Sequence, residues 1–223
     1  MLSAQTNTAV IRGVVSDPGT TIGRDAGPYS DLYNRRTDYG PSANDVKNRL
    51  SFSSVYELPV GPGKAHLAKS VLGQINGGWT LGNVTVLQSG PPMSVTTQNN
   101  NTFAQSAGSQ RSDVSRDPNL PSDQRSVLKW FDIAAFTQPA NFSFGSSGCN
   151  IVRAPGLVKF DFSQMRNFKL HERYYLPVRG ESFNAFNHTN FSAPGGTFGG
   201  AGFGTISASG PARQLQIGMR FAF

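Results

Sequence analysis

The sequence is poor in the residues that most catalytic and metal chemistry requires. One cysteine, Cys149, excludes an internal disulfide framework. Three histidines, His66, His171 and His188, lie far apart in the chain, so nothing has metal-ligand spacing. Charged residues make up only 15% of the chain, which separates it from charged helical proteins and from acidic disordered ones. No apolar run approaches the ~20 residues of a membrane helix. The opening stretch, "MLSAQTNTAV", has neither a basic n-region nor an apolar h-region, and no signal peptide is visible. The net charge is +7, from 20 basic and 13 acidic residues, but the basic side chains are dispersed and Arg35-Arg36 is their densest spot. Without a nucleic-acid-binding motif beside it, that charge points to no nucleic-acid partner.

Glycine (25 residues) and phenylalanine (16) are abundant among many Asn, Ser, Thr and Gln, a composition of short strands joined by long polar loops. The clearest strand is the last. In "QLQIGMRFAF", Leu215, Ile217, Met219, Phe221 and Phe223 share one face, and Gln214, Gln216, Gly218, Arg220 and Ala222 share the other. Ten residues is about the length of a tilted membrane strand. Upstream, "LVKFDFSQMRNFKL" sets Val158, Phe160 and Phe162 against Lys159, Asp161 and Ser163. "YLPVRGESF" sets Leu176 and Val178 against Arg179 and Glu181, and "NRLSFSSVYELPV" sets Leu50, Phe52, Tyr56, Leu58 and Val60 against Arg49, Ser51, Ser53 and Glu57. A fifth strand, "GGWTLGNVTVLQSG", has Val84 and Val86 out of phase with Trp79 and Leu81, which predicts either a bulge or two apolar environments.

The connections are unequal. The turn near "NFKLHERYY" is short. Residues 61–78 contain Leu67, Val71 and Ile75 at the spacing of one short amphipathic helix. The longest connection, from about Pro91 to Gly156, holds a polar tract and then a segment in which Ser122 is expected to cap a short helix carrying Val127, Leu128, Trp130 and Phe131. Short turns on one side and long loops on the other are typical of outer-membrane barrels. Alternation alone also fits a soluble sandwich with its apolar face turned inward. Charged residues on the second face (Asp161, Arg179, Glu181, Arg220) and aromatics near strand ends (Tyr174, Tyr175, Phe221, Phe223) favour a watery lumen and an interfacial girdle.

Six blocks, "DYGPSANDVKNRLSFSSVYELPVG", "GGWTLGNVTVLQSGPPMSV", "DPNLPSDQRSVLKWFDIAAF", "NIVRAPGLVKFDFSQMRNFKL", "ESFNAFNHTNF" and "RQLQIGMRFAF", stand in the order seen in Oar-like TonB-dependent receptors. The chain resembles that family from about Tyr29 to Phe223. The resemblance implies an outer-membrane transporter whose terminal aromatics, Phe223 with Phe221, are a signal read by the membrane assembly machinery. It implies a bilayer environment in a Gram-negative type of bacterium, and contact with TonB only in a full-length receptor. It implies binding and gating rather than catalysis, with no cofactor and a transported ligand that the residues do not specify.

The same resemblance marks what is missing. Such a receptor has a carboxypeptidase-regulatory-like domain, a plug and a barrel of about 22 strands. Here "AQTNTAVIRGVVSDPGT" looks like the opening of the first, residues 1–22 read as its remnant, and residues 23–223 read as the last section of the barrel. No stretch reads as a plug. The middle of the family pattern is absent, as in a truncated, internally deleted or mis-assembled gene. Barrels begin at about eight strands, so five or six strands do not close one, and an open sheet in lipid needs partner strands.

Fragments that imitate catalytic motifs are structural. "VGPGKAH" at Lys64 lacks the earlier Gly and following Ser/Thr of a phosphate loop. "SVLK", Ser126 to Lys129, lacks its companion motifs. "GGTFGGAGFG", Gly195 to Gly204, has no strand-to-helix context and reads as a flexible loop, and His188 reads as packing at a strand end. The expectation is an all-β antiparallel meander, a partial outer-membrane barrel of about five or six strands with long polar loops and one or two short helices. No catalytic, cofactor-binding or metal residue is assigned. Arg179 and Glu181 are the candidate lumen pair. The competing readings are a soluble or adhesin-like β-rich binding module and a hydrolase on a β scaffold, which needs a histidine paired with a Ser or with Cys149.

Overall fold

The computed structural model describes residues 9–15, 38–60, 77–102, 110–170 and 174–222, the side chains of 9–15 excepted. In chain order its strands are β1 (Ala9–Val15), β2 (Asn48–Glu57), β3 (Trp79–Gln88), β4 (Pro92–Met93), β5 (Thr96–Thr97), β6 (Asp113–Val114), β7 (Phe136–Thr137), β8 (Val152–Arg153), β9 (Leu157–Lys169), β10 (Tyr175–Phe183), β11 (Thr197–Phe198) and β12 (Gln214–Met219). Six of them form one sheet in the order β1-β2-β3-β9-β10-β12, every neighbour antiparallel. This is the all-β antiparallel meander that the alternation predicts. The N-terminal strand joins this sheet, Ala9 opposite Ser54 through Val15 opposite Asn48.

The β3 ladder runs unbroken from Trp79 opposite Arg166 to Gln88 opposite Leu157, so there is no bulge and Val84 and Val86 lie on the second face in regular alternation. Pro177 lies inside β10. Its missing N–H faces β12, where Arg220 N–H still donates to the Pro177 carbonyl at 3.2 Å. The regular ladder therefore stops at Val178 opposite Met219, and the two strands meet again where Tyr175 and Ala222 exchange bonds of 2.9 and 3.0 Å.

The strands share two ends. One carries the short connection at 170–174 and the path from β2 to β3. The other carries residues 89–102, 110–156 and 184–213, which fold over that end as a cap. The hydrophobic core of the described residues lies in this cap: Val95, Phe131, Ala135, Phe136 and Val152 are buried, with Trp130, Phe198 and Phe203 packed against them. Phe131, Phe136, Phe198 and Phe203 meet edge to face at 5.3–5.8 Å between ring centres. No residue of β2, β3, β9, β10 or β12 is buried.

Two sequence expectations change here. The segment after Ser122 is not a helix bearing Val127, Leu128, Trp130 and Phe131. Residues 122–124 make a single 3₁₀ turn without a side-chain cap, and Ser126 and Lys129 then close a hairpin turn through reciprocal backbone bonds of 2.9 and 3.1 Å. The hairpin wins because it turns Phe131 and Trp130 into the cap core, and Trp130 Nε1–H donates to the Arg153 carbonyl at 2.8 Å. The glycine-rich segment at 195–204 is a packed element rather than a flexible loop. Gly195 N–H donates to Thr205 O and Gly204 N–H to Gly195 O, both at 2.9 Å, and Gly204 adopts φ +75°, a conformation that favours glycine. The helix expected around Leu67, Val71 and Ile75 lies outside the described residues, as do Lys64, His66, His171 and Phe223.

Candidate functional site

Register assigns every sheet residue to a face. One face carries Leu50, Phe52 and Tyr56 of β2, Trp79, Leu81 and Leu87 of β3, Val158, Phe160 and Phe162 of β9, Leu176 and Val178 of β10, and Leu215, Ile217 and Met219 of β12. Among the described residues nothing covers most of it. Leu215, Ile217 and Met219 are 73, 78 and 70% exposed, and Leu50 is 42% exposed. Phe160 and Phe162 touch Phe186 at 5.0 and 5.9 Å, itself an exposed ring on the loop after β10. A contiguous apolar face this large marks contact with another hydrophobic medium. Strands of ten residues span about 33 Å along their axes, and a tilt of about 45° brings that near the ~25 Å of an outer-membrane apolar band.

The opposite face is polar and internally paired. Arg179 and Glu181 form an ion pair, so the structure joins the two residues that sequence placed on one face. Gln216 Nε2–H donates to the other oxygen of Glu181 at 2.9 Å. Lys159 pairs with Asp161 at 2.8 Å and stands 5.9 Å from the centre of the Phe183 ring. Asp161 also accepts the Asn184 N–H at 3.0 Å. The Lys159–Asp161 pair has the same i, i+2 signature as Arg179–Glu181 and was readable by the same rule.

Beside Lys159 the polar face opens, at the cap end, into a cavity of about 280 Å³ lined by Leu157, Phe183, Asn190, Pro211 and Gln214 among others. Its walls are held by asparagines. Asn190 accepts the Val158 N–H at 2.8 Å and donates to the Val158 carbonyl at 2.9 Å, imitating a strand partner. Asn184, buried and with φ +49°, accepts from His188 N–H at 3.0 Å and donates to the His188 and Pro211 carbonyls at 2.9 and 3.2 Å. These contacts are the described role of the "FNHTNF" segment, whose backbone at His188 closes the loop.

At the end opposite the cap lies an aromatic rim. Tyr174 and Phe221 stack at 5.8 Å, and Trp79 meets Phe168 edge-on at 6.2 Å. Phe221 is more than half exposed. The cap carries most of the long-range ion pairs, which no local sequence signal announces. Arg111 pairs with Asp38 at 2.9 Å, and Arg153 pairs with Asp45 while donating to the Asp45 carbonyl at 2.7 Å. Arg116 Nη2 lies 2.6 Å from Asp132, whose carboxyl is held below its ordinary range chiefly by the Arg116 hydrogen bond. Cys149 Sγ lies 3.6 Å from Ser94 Oγ, and Ser94 donates to the Asn150 side chain at 3.0 Å. Among the described residues no cluster of three or more His, Cys, Asp or Glu is arranged to hold a metal ion.

Residues 14–216 match the family model described as "Outer membrane beta barrel domain". Neither a curated protein nor a solved structure matches the chain.

Proposed function

This chain belongs to the outer membrane beta barrel domain family, and from that premise we propose that it is a wall section of a TonB-dependent receptor of the Oar-like kind. In this reading the apolar face meets lipid and the polar face lines a water-filled lumen, with Arg179 and Glu181 as a lumen pair. The cap stands outside the membrane at the mouth. The six strands do not close a barrel by themselves, because β1 and β12 end the sheet and an open edge in hydrocarbon leaves backbone groups unpaired at several kcal/mol each. The wall is completed by strands beyond the six, and transport belongs to that completed assembly. The work of the chain is binding and gating, without catalysis or a cofactor. Its partners are the bilayer, the outer-membrane assembly machinery, and TonB only in the complete receptor.

The observation that carries this reading is the bare apolar face. A soluble β-rich module bury such a face in its core; here the core sits in the cap and Leu215, Ile217 and Met219 lie open. The experiment is fractionation of cells producing the tagged chain. The expected result is recovery in the outer membrane, resistance to alkaline carbonate, and release by detergent in an assembly larger than one chain. Recovery as a folded monomer in the aqueous fraction would instead establish the binding-module reading, which the separate cap core favours.

A further inference from the structure

The apolar face is interrupted by polar side chains near its centre. On β9 this face runs from Val158 at the cap end to Phe168 in the aromatic rim. Ten residues cover about 33 Å along a strand and, at a tilt of about 45°, about 23 Å across a membrane, close to the whole apolar band. Gln164 stands near the middle of that span. Register sets it in the row Tyr56, Leu81, Gln164, Gly180, Ile217, and the next row toward the cap holds Asn83 and Ser182 on either side of Phe162. A hollow of about 430 Å³ lies over these rows, walled by Leu81, Phe162, Leu215 and Ile217, with Gly180 and Ser182 between them. The intervening residues of the same strands point their side chains to the other face and give the hollow only backbone. The Gln164 side chain leans over Gly180, where a Cβ would stand 3.1 Å from Gln164 Nε2 and 3.2 Å from its Cγ. Among the described residues neither the Gln164 amide nor the Ser182 hydroxyl has a hydrogen-bond partner. Asn83 Oδ1 accepts from Thr85 Oγ1 at 3.2 Å.

We propose that this hollow is the contact between two copies of the chain standing back to back in the bilayer, an inference that rests on the outer-membrane reading above. Acyl chains offer no hydrogen bond, so an amide at this depth is satisfied only by protein against it. Small residues beside a polar one are what membrane segments use to associate. Two copies inserted in the same direction are related by a two-fold axis along the membrane normal. Residues then meet at equal depth, and the contact must be self-complementary. A primary amide is its own complement, because it carries both donors and an acceptor. Two Gln164 amides across the axis exchange a pair of N–H···O bonds, and the Ser182 hydroxyl is likewise both donor and acceptor. Neither row carries a charge that would repel a second copy. The contact is separate from the sheet edges that complete the wall. β9 lies two strands in from β12 and three from β1. Copies joined edge to edge therefore hold their Gln164 side chains six strands apart, about 29 Å.

The test is cysteine cross-linking of the full chain in the outer membranes of cells that produce it, with Cys149→Ser as the background. Gln164→Cys is expected to give a disulfide-linked dimer with copper phenanthroline. Leu50→Cys, on the same face nearer the cap, and Gln216→Cys, on the polar face, are expected to stay unlinked. The amide is read separately, from Leu81→Cys joined by a short bis-maleimide. That dimer is expected to form with Gln164 in place and to fall about tenfold when Gln164→Leu is added, the scale of one polar pair between membrane segments. Gln164→Asn is expected to fall between, and membrane recovery to be the same for all three. No Gln164→Cys dimer in a chain recovered from the outer membrane overturns the proposal and leaves the receptor reading standing. Linking of equal yield at Leu50→Cys, or linking of Gln164→Cys to a different protein alone, does the same. Undiminished Leu81→Cys linking in the Gln164→Leu chain overturns it too. Recovery of the chain in the aqueous fraction removes both readings.

Discussion

Asp132 shows how a single side chain couples the cap to pH. Its carboxylate accepts from Arg116 Nε at 2.8 Å and from Ala134 N–H at 3.2 Å, where it caps a 3₁₀ turn. The Arg116 hydrogen bond is the main cause of its lowered pKa. A carboxyl that titrates lower in the folded than in the unfolded chain contributes stability above its ordinary value near 4, and that contribution fades as pH falls through the lowered value. Asp117 acts in the same sense, held down first by the Asn119 N–H and then by its side chain. Asp132→Asn is expected to flatten the acid limb of cap unfolding below about pH 4, at a cost near neutral pH of about 0.5 kcal/mol, since the Arg116 side of the pair is more than half exposed. Denaturant melts followed by Trp130 fluorescence at stepped pH read this, and an unchanged acid limb refutes it. Asn190 predicts a larger effect. Asn190→Ala leaves the Val158 N–H and carbonyl without their side-chain partner, which is expected to cost about 1–3 kcal/mol in the same melts.

At the scale of elements, the strands were legible and the cap was not. Alternation in "QLQIGMRFAF" or "LVKFDF" needs only the two-residue period of an extended backbone, so β12 and β9 could be read locally, with their faces. The phase change at Val84 was also visible, but choosing between a bulge and two environments required the register of β3 against both neighbours. Trp130, Phe131, Phe198 and Phe203 have no shared period. They converge because a hairpin turn and a glycine-rich loop far apart in sequence meet over Val95 and Val152. The two units are expected to respond separately. Phe131→Ala removes the centre of the aromatic cluster and is expected to destabilise the cap by about 3–5 kcal/mol, while far-UV signal from the sheet in detergent persists. Ile217→Arg, on the apolar face, is expected to reduce membrane insertion by about 2–4 kcal/mol, whereas Gln216→Arg on the polar face changes it little. Equal effects at the two positions, measured by urea-dependent folding into vesicles, contradict the assignment of faces.

For the molecule as a whole, the decisive quantity is closure. A six-stranded sheet with one bare apolar face and a polar face paired by Arg179–Glu181 and Lys159–Asp161 has the two faces that a barrel wall requires. If neighbouring strands complete it, a cysteine placed at Gln216 is expected to react readily with membrane-impermeant thiol reagents in the assembled barrel, whereas one placed at Ile217, on the lipid side, is expected to react slowly until detergent separates the chain. Cys149 is replaced by Ser to give a clean background. Equal labelling rates at the two positions in the assembled barrel count against a lumenal polar face.

The order of residues alone determined which segments are strands and which side chains share a face, because both follow from backbone periodicity. It also made Arg179 and Glu181 neighbours, because i, i+2 residues of a strand point the same way. Only the tertiary structure decided that the apolar side is bare and that the chain's core lies in a cap at one end. Burial depends on what is packed opposite a face, and an alternating strand has the same pattern whether its greasy side meets protein or lipid.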